Sequence, residues 1–262
     1  MERYVGRVAM VTGASSGIGA AVARALLQRG VTVVGVDLRP DRMKEWQLKN
    51  STSQLHPMYG DVTDEESLLT VFKWISDNLG GVDILINSAG LFRNPLLTSA
   101  PTSEIKKTLD VNVLGLSICT REAVQDMLSR GVDDGFIVHI GSLASHVPVN
   151  DSGNSIYFAS KVAVKALLEG LRKDLVARKS NIRVGQVSPG PVRTELFNPL
   201  IGLPDDFWES QFLEPEDIAD AIIFMLSQHP RTQEITYQQP VLDVFVKPFS
   251  MNIESAPSDL HF

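Results

Sequence analysis

The sequence of 262 residues has a single cysteine, no excess of basic side chains and no long apolar run. One cysteine excludes a disulfide within the chain and any metal site built from several cysteines. Lys and Arg total 24 against 31 Asp and Glu, giving a formal charge of −7, which argues against binding to nucleic acid. No run reaches the roughly 18 apolar residues of a membrane span, and the first residues lack the apolar stretch of a signal peptide. We therefore expect a soluble, cytoplasmic protein.

The sequence does contain a regular alternation of short apolar runs and longer amphipathic stretches. The apolar runs predict buried strands at residues 7–12, 31–37, 55–61, 82–87, 135–142 and 181–188. Helical spacing predicts helices at residues 17–28, 39–49, 63–79, 103–130, 157–179 and 215–227. This alternation predicts a single-domain α/β fold with a doubly wound parallel sheet and helices on both faces. We place the domain at residues 1–249, with a substrate lid at about 191–213 and a C-terminal tail at 250–262.

A glycine-rich stretch, TGASSGIG at residues 12–19, joins the first predicted strand to the first predicted helix. Glycines there let the backbone approach a pyrophosphate, which the helix N-terminus attracts; an ordinary strand-to-helix turn is the alternative. Asp37 ends the second strand, 24 residues after Gly13, where a carboxylate can bind an adenosine ribose and repel a 2′-phosphate. Asp37 could instead cap a turn, and Arg39 could partly restore phosphate binding.

A second group of residues suggests acid/base chemistry. Tyr157 and Lys161 are four residues apart and so share one face of a helix. An ammonium group, together with an oxidised nicotinamide, would lower the tyrosine pKa and allow proton exchange with an alcohol. Ser142, 15 residues before Tyr157, ends a strand where its hydroxyl can hold the substrate oxygen. Tyr-x-x-x-Lys alone is a common pattern, and Ser145 is an alternative to Ser142.

Two histidines lie close to this group in sequence. His139 falls inside the fifth predicted strand, which favours packing over catalysis. His146 follows in the next loop, and we interpret it as a pocket wall because no acidic residue that could orient a triad base is evident.

Taken together, the motifs resemble those of the short-chain dehydrogenases/reductases, over residues 7 to about 227. The family's cofactor motif is met by Thr12, Gly13, Gly17 and Gly19, and its Asn-Asn-Ala-Gly motif appears as residues 87–90, NSAG, with Ser88 as the departure. Further matches are Asp61 at the adenine, Asn112 in a helix, Pro189-Gly190, and Thr194 at the nicotinamide carboxamide. The resemblance implies a Rossmann fold that binds a nicotinamide cofactor.

The resemblance also implies specific site residues. The catalytic set is Asn112, Ser142, Tyr157 and Lys161, with the asparagine supporting a proton relay through water. The cofactor residues are Gly13, Ser15, Ser16, Gly17, Ile18, Gly19, Asp37, Asp61, Val62, Asn87, Ala89, Gly90, Tyr157, Lys161, Pro189, Gly190, Val192 and Thr194. We predict a largely apolar substrate pocket, which favours an apolar substrate. Its lining is Phe92, Leu143, His146, Val147, Phe197, Phe207 and Trp208.

Within the family, residues 112–123 and 132–135 resemble the subgroup of dehydrogenase/reductase member 11, insect farnesol dehydrogenases and the similar ipsdienol dehydrogenases. The resemblance implies reversible hydride transfer on an apolar alcohol/carbonyl pair, with a terpenoid alcohol as first choice. Many of these relatives prefer NADP, whereas Asp37-Leu38 at the corresponding place favours NAD here. The alternatives are a steroid or general carbonyl reductase using NADPH, a non-catalytic nucleotide sensor, and a methyltransferase. The resemblance also implies a homodimer or homotetramer, because in the family the two helices that match our two longest predicted helices form the interface between subunits.

Overall fold

The protein has a seven-stranded parallel sheet. The computed structural model describes residues 1–44, 54–93, 95–146, 153–196 and 212–229, and only the backbone of residues 197 and 241–246. The strands are β1 (Val8–Thr12), β2 (Thr32–Asp37), β3 (Leu55–Tyr59), β4 (Ile84–Asn87), β5 (Phe136–Ile140), β6 (Arg183–Pro189) and β7 (Val241–Val246). Their order is β3-β2-β1-β4-β5-β6-β7. The expected doubly wound sheet is confirmed, and β7 is an additional strand that the sequence analysis did not predict.

Helices cover both faces of the sheet. They are α1 (Gly17–Leu27), α2 (Asp41–Lys44), α3 (Glu65–Leu79), α4 (Thr102–Leu109), α5 (Leu116–Ser129), α6 (Ser155–Ala177) and α7 (Pro215–Ser227). Alternate residues of β1 point to opposite faces, so Ala9 and Val11 pack with α1 and α7, and Met10 packs with α3, α5 and α6. Among the described residues, no helix is both long and apolar enough to cross a bilayer.

The helix expected at residues 103–130 is confirmed, with one irregularity. A π-helical segment, Asp110–Gly115, lies between α4 and α5, and the chain stays helical from Thr102 to Ser129. A Cβ on Gly115 would lie 2.5 Å from the carbonyl oxygen of Val62, so this segment packs directly on the loop after β3. Apolar spacing does not reveal the π-helical turn, because the hydrophobic face continues through it. Asn112 lies inside this segment.

The strand order reverses direction between β1 and β4, which lie side by side. In open parallel sheets, a crevice forms at this point, beyond the carboxyl ends of the strands. The loops after β1 and β4 carry the glycine motif and residues 87–90, so the fold places both at this crevice. Residues 198–211 of the predicted lid, residues 45–49 of the second predicted helix, and the predicted tail lie outside the described residues.

Candidate active site

The glycine loop after β1 is packed so tightly that side chains at its glycines would clash. Gly13 has a φ of 67°, and a Cβ there would lie 2.8 Å from the Cα of Ala89. A Cβ on Gly19 would lie 2.2 Å from the carbonyl oxygen of Gly13. A Cβ on Gly17, which has a φ of 50°, would lie 3.0 Å from the methyl carbon of Thr194. These contacts bring the loops after β1, β4 and β6 together.

The loop has the features of a pyrophosphate site. Ser16 is the N-cap of α1, whose first residues are Gly17, Ile18 and Gly19, so their free N–H groups and the helix dipole attract an anion. The hydroxyl of Ser15 is buried and has no hydrogen-bond partner among the described residues. An orphaned hydroxyl beside uncapped N–H groups fits a phosphate, and the residues therefore fit the implied dinucleotide.

The expected adenosine residues lie at the ends of β2 and β3. Asp37 accepts hydrogen bonds from the backbone N–H of Arg39, at 2.9 Å, and of Ser15, at 3.3 Å. Asp61 accepts bonds from the backbone and the hydroxyl of Thr63, at 2.8 and 2.7 Å. Asp37 therefore connects the end of β2 to the glycine loop, as a ribose-binding carboxylate must. Val62, which follows Asp61, lies against the π-helical segment.

The NSAG turn after β4 is tied to β1. The Thr12 hydroxyl accepts hydrogen bonds from the backbone N–H groups of Ser88 and Ala89, both at 3.1 Å. Asn87 is buried, and its amide donates to the Thr120 hydroxyl at 3.0 Å. Gly90, at the end of the turn, is exposed. Thr12 therefore fixes the loop after β1 and the loop after β4 relative to each other. Serine in place of the family's asparagine at position 88 does not affect this contact, because the hydrogen bond uses the backbone N–H of residue 88.

Tyr157 and Lys161 lie side by side on α6 and are both buried. The Lys161 ammonium donates to the carbonyl oxygen of Ile140 at 2.9 Å and lies 5.8 Å from the centre of the Tyr157 ring. Ser142 begins the turn after β5 and accepts from the N–H of Ala144 at 3.1 Å. The Ser145 hydroxyl donates to the Ser142 carbonyl at 2.6 Å. The structure thus favours Ser142 over Ser145 as the hydroxyl beside Tyr157.

Burial shifts the pKa of each residue in the direction that disfavours its charged form. Desolvation raises the pKa of Tyr157, and a hydrogen bond with Ser142 offsets part of that rise. Desolvation lowers the pKa of Lys161 to about 8. The ammonium of Lys161 is bound to the Ile140 carbonyl, and the lowering of the tyrosine pKa expected from the lysine together with an oxidised nicotinamide stays a prediction. A neutral Tyr157 is a proton donor.

Asn112 is clamped between the loop after β4 and α6. Its side-chain oxygen accepts from the N–H of Leu91 at 2.7 Å, and its amide donates to the Leu91 carbonyl at 2.9 Å. The same amide contacts the Ser160 hydroxyl at 3.0 Å, and Ser160 donates to the Tyr157 carbonyl at 2.6 Å. Asn112 therefore reaches the Tyr157 helix through Ser160, a residue that the sequence analysis did not select.

At the opposite end of the crevice, the chain leaves β6 through Pro189 and Gly190. Val192 is buried and pairs with Leu213 in an isolated bridge. The Thr194 hydroxyl donates to the Val192 carbonyl at 3.4 Å. Thr194 also lies against Gly17 of the glycine loop, and its role at the nicotinamide stays a prediction.

The predicted substrate pocket is only partly described. The ring of Phe92 meets the Tyr157 ring edge to face, with centroids 4.9 Å apart. Leu143 is half-buried in the turn after Ser142. Only the backbone of Phe197 is described, and Val147, Phe207 and Trp208 lie outside the described residues. The structure therefore brings Phe92 to Tyr157, whereas the predicted lid residues stay predictions.

The two histidines differ in role. His139 is buried as expected, bonds to the Thr120 hydroxyl at 3.2 Å, and has its pKa lowered to about 3, mainly by burial. His146 bonds to the Ser188 hydroxyl at 3.1 Å and receives a bond from Lys165 at 3.2 Å. Burial and the Lys165 charge lower the pKa of His146 to about 4. A neutral His146 therefore connects the Ser142 turn to both α6 and β6.

Comparison with known proteins gives a consistent assignment. A family model described as short chain dehydrogenase matches residues 7–201. The farnesol dehydrogenase of Aedes aegypti is 41% identical over 239 residues, 89% of this chain and 95% of that protein. Dehydrogenase/reductase SDR family member 11 of Homo sapiens is 43% identical over 236 residues, 87% of this chain and 91% of that protein.

Solved structures share the fold over nearly the whole chain. A short-chain type dehydrogenase/reductase from Mycobacterium marinum has a TM-score of 0.82 at 27% identity, covering 93% of this chain and 95% of that one. The closed form of a serine dehydrogenase complexed with NADP+ has a TM-score of 0.81 at 25% identity, covering 95% and 98%. The chain belongs to the short-chain dehydrogenase/reductase family and is an NAD(P)-dependent oxidoreductase of the alcohol dehydrogenase and carbonyl reductase type.

Proposed function

We propose that the protein reversibly oxidises an apolar alcohol to its carbonyl compound with NAD, that the alcohol is a terpenoid, and that Tyr157 is the acid/base. The observation that carries this proposal is the placement of Tyr157. Its ring is buried between Phe92 and Lys161, and its hydrogen bond with Ser142 brings it to the carboxyl end of β5. The glycine loop, which fits a dinucleotide, opens onto the same edge of the sheet.

Three side chains of the protein bind the substrate oxygen and transfer its proton: Ser142, Tyr157 and Lys161. When bound, the nicotinamide supplies or accepts the hydride. In the reducing direction, the Ser142 hydroxyl holds the carbonyl oxygen and the neutral Tyr157 hydroxyl gives that oxygen its proton. In the oxidising direction, Tyr157 first gives up its own proton, and the resulting phenolate then takes the proton of the alcohol. Lys161 tunes this exchange by its charge and anchors the nicotinamide ribose.

Asn112 supports proton supply indirectly. Both ends of its amide are engaged by Leu91, and its N–H also contacts Ser160. We therefore assign it to fixing the π-helical segment beside the Tyr157 helix, where a water relay from Lys161 can pass along the backbone.

An apolar substrate is supported by the ring of Phe92 against Tyr157 and by the name of the 41% identical relative, a farnesol dehydrogenase. A steroid or small ketone is the second candidate. The relative in Homo sapiens, named dehydrogenase/reductase, is similarly close at 43% identity. A non-catalytic nucleotide sensor is disfavoured because it has no use for the buried pair of Tyr157 and Lys161.

NAD is favoured over NADP by Asp37. Its carboxylate lies at the end of β2 beside Ser15 of the glycine loop, where a ribose 2′-hydroxyl would be accepted and a 2′-phosphate repelled. The solved neighbours include NADP complexes, so the preference proposed here is a property of this chain's own residues. The lone cysteine, Cys119, is buried and free, which is compatible with the cytoplasmic location that we propose.

The test is a spectrophotometric screen of terpenoid alcohols, steroids and small alcohols with NAD and NADP in parallel. The proposal predicts highest kcat/KM for a terpenoid alcohol with NAD, and a relaxed cofactor preference in Asp37→Ala. Asp77→Asn, on the surface of α3, is the control for loss of one negative charge. Faster turnover with NADP in the parent protein would overturn the cofactor assignment, and faster turnover of steroids would overturn the substrate assignment.

A further inference from the structure

Four charged side chains meet at the adenosine end of the crevice, and we call them the Glu195 cluster: Asp37, Arg39, Arg42 and Glu195. One guanidinium nitrogen of Arg42 lies 2.8 and 2.9 Å from the two carboxylate oxygens of Glu195. Arg39 donates to Glu195 at 3.3 Å, and its Nε lies 3.7 Å from Asp37. Both arginines are therefore engaged by an acid next to the carboxylate that we assign to the ribose.

Glu195 reaches this cluster from the other side of the glycine loop. It directly follows Thr194, whose methyl carbon would lie 3.0 Å from a Cβ on Gly17. Glu195 starts the 3₁₀ turn Glu195–Phe197, whereas Arg42 lies on α2, 153 residues earlier in the chain. The ion pairs therefore join the segment after β6 to the end of β2, across the loop that fits the pyrophosphate.

We propose that Glu195 is a specificity-determining residue, which disfavours NADP by holding Arg39 and Arg42 in ion pairs. The inference rests on the proposed function in one respect, that the adenosine ribose of the cofactor binds at Asp37. Guanidinium groups form bidentate hydrogen bonds with phosphates, so two arginines beside that ribose form a latent 2′-phosphate site. Glu195 occupies the same donors and makes the site unavailable.

The charges of the cluster support this role. The net charge of the Glu195 cluster is zero, because its two arginines balance its two carboxylates. Without the charge of Glu195 the net charge is +1. A phosphate monoester brings a charge of about −2 at neutral pH, so the net charge of the cluster decides whether it is attracted. The Glu195 and Arg42 side chains are 50% and 45% exposed, so salt screens the interaction, and we expect a change of up to about fivefold in relative affinity rather than a complete switch.

The test compares the Kd values of NADPH and NADH, measured by fluorescence titration, in Glu195→Gln and the parent protein. We expect Glu195→Gln to raise the affinity for NADPH relative to NADH about three- to fivefold at low salt, and less at high salt. Adding Arg42→Gln to the same chain should return the ratio to its parent value. Glu65→Gln is the matched control. It also removes the charge of a glutamate that is paired with an arginine, Arg121, but Glu65 lies on α3 and is not part of the Glu195 cluster.

Each outcome has a separate meaning. A ratio in Glu195→Gln within twofold of the parent ratio, or an equal change in Glu65→Gln, overturns the role of Glu195. Tighter binding of NADPH than NADH by the parent protein overturns the proposed NAD preference instead, while the change caused by Glu195→Gln still measures the Glu195 cluster. Because the readout is binding, it does not depend on which alcohol is the substrate.

Discussion

At the scale of single residues, the site depends on two titratable groups with shifted pKa values. Burial raises the pKa of Tyr157 and lowers that of Lys161 to about 8, since the charged form of each is disfavoured away from water. As the pH rises, the first proton that this pair loses is therefore the lysine's, near pH 8. Below that pH both residues hold their protons, and Tyr157 can donate one. Above it the Lys161 amine is neutral and can take up the proton that Tyr157 releases when it becomes the base.

This order predicts the pH dependence of the reaction. We expect kcat/KM for alcohol oxidation to rise as the pH increases through about 8, and kcat/KM for carbonyl reduction to fall over the same range. Initial rates in both directions across the pH range measure this. Lys161→Arg, whose guanidinium stays charged at all these pH values, should lose the step near pH 8. An oxidation rate independent of pH would contradict the assignment.

The glycine loop gives a second prediction at this scale. In Gly13→Ala, the new Cβ would meet Ala89 at 2.8 Å on a backbone with a φ of 67°, so we expect NADH affinity to fall at least about tenfold and stability by roughly 1–3 kcal/mol. Gly131→Ala is the matched control, because its φ is 68° and its Cβ would meet nothing within 4 Å. Fluorescence titration of NADH and urea unfolding measure both effects. Equal NADH affinities in the two variants would show that the close approach of Gly13 to Ala89 is not needed for NADH binding.

The contacts that sequence reasoning missed at this scale are those between distant parts of the chain. Ser160 lies directly before Lys161 in the motif, but its partner Asn112 is 48 residues away. Arg42 and Glu195 are 153 residues apart, and no local pattern connects them. In contrast, Gly13, Asp37 and Tyr157 could be selected because they lie in short motifs whose joint order and spacing resemble those of the family.

At the scale of elements, the π-helical segment Asp110–Gly115 connects the loop after β3 to α6, the helix that carries Tyr157. It presents Asn112 to Leu91 and Ser160, and its last residue, Gly115, lies against Val62. Six strands could be predicted because buried parallel strands are continuous apolar runs. The π-helical turn could not, since the apolar spacing continues through it and the contact of Gly115 with Val62 is made only by the folded chain.

Gly115→Ala tests this contact. Alanine favours helix by about 1 kcal/mol over glycine, but a Cβ here would lie 2.5 Å from the Val62 carbonyl oxygen. We expect the variant to lose roughly 1–3 kcal/mol of unfolding free energy, measured by urea denaturation. Thr70→Ala, at an exposed position of α3, is the control and should be neutral or slightly stabilising. A stabilised Gly115→Ala protein would show that the segment is free of this constraint.

At the scale of the whole molecule, one sheet and its two helical layers form the site without a second domain. The loops after β1, β4, β5 and β6 all contribute to it, which agrees with the single-domain prediction for the described residues. Helix α6 also leaves apolar side chains at the surface: Val162 is 51% exposed, Val176 42% and Leu167 37%. The family resemblance places a subunit interface on this helix, and exposed apolar side chains are suited to such a surface.

We therefore expect a homodimer or homotetramer formed through α5 and α6. Leu167→Glu should shift the protein toward smaller species, because a charge would be buried in the interface. Leu69→Glu, at a 41% exposed position on α3, is the matched control and should leave the mass unchanged. Light scattering after size-exclusion chromatography measures both. A monomeric parent protein, or equal behaviour of the two variants, would contradict the proposed interface.

The most direct measurement is turnover and NADH binding in Tyr157→Phe. The variant keeps the ring that packs on Phe92 and removes only the hydroxyl that exchanges the proton. The account predicts that kcat falls by about 10²–10⁴-fold, the usual contribution of a general acid or base, while the Kd of NADH stays within about twofold of the parent value. Turnover that survives this change would contradict the assignment of Tyr157 as the acid/base.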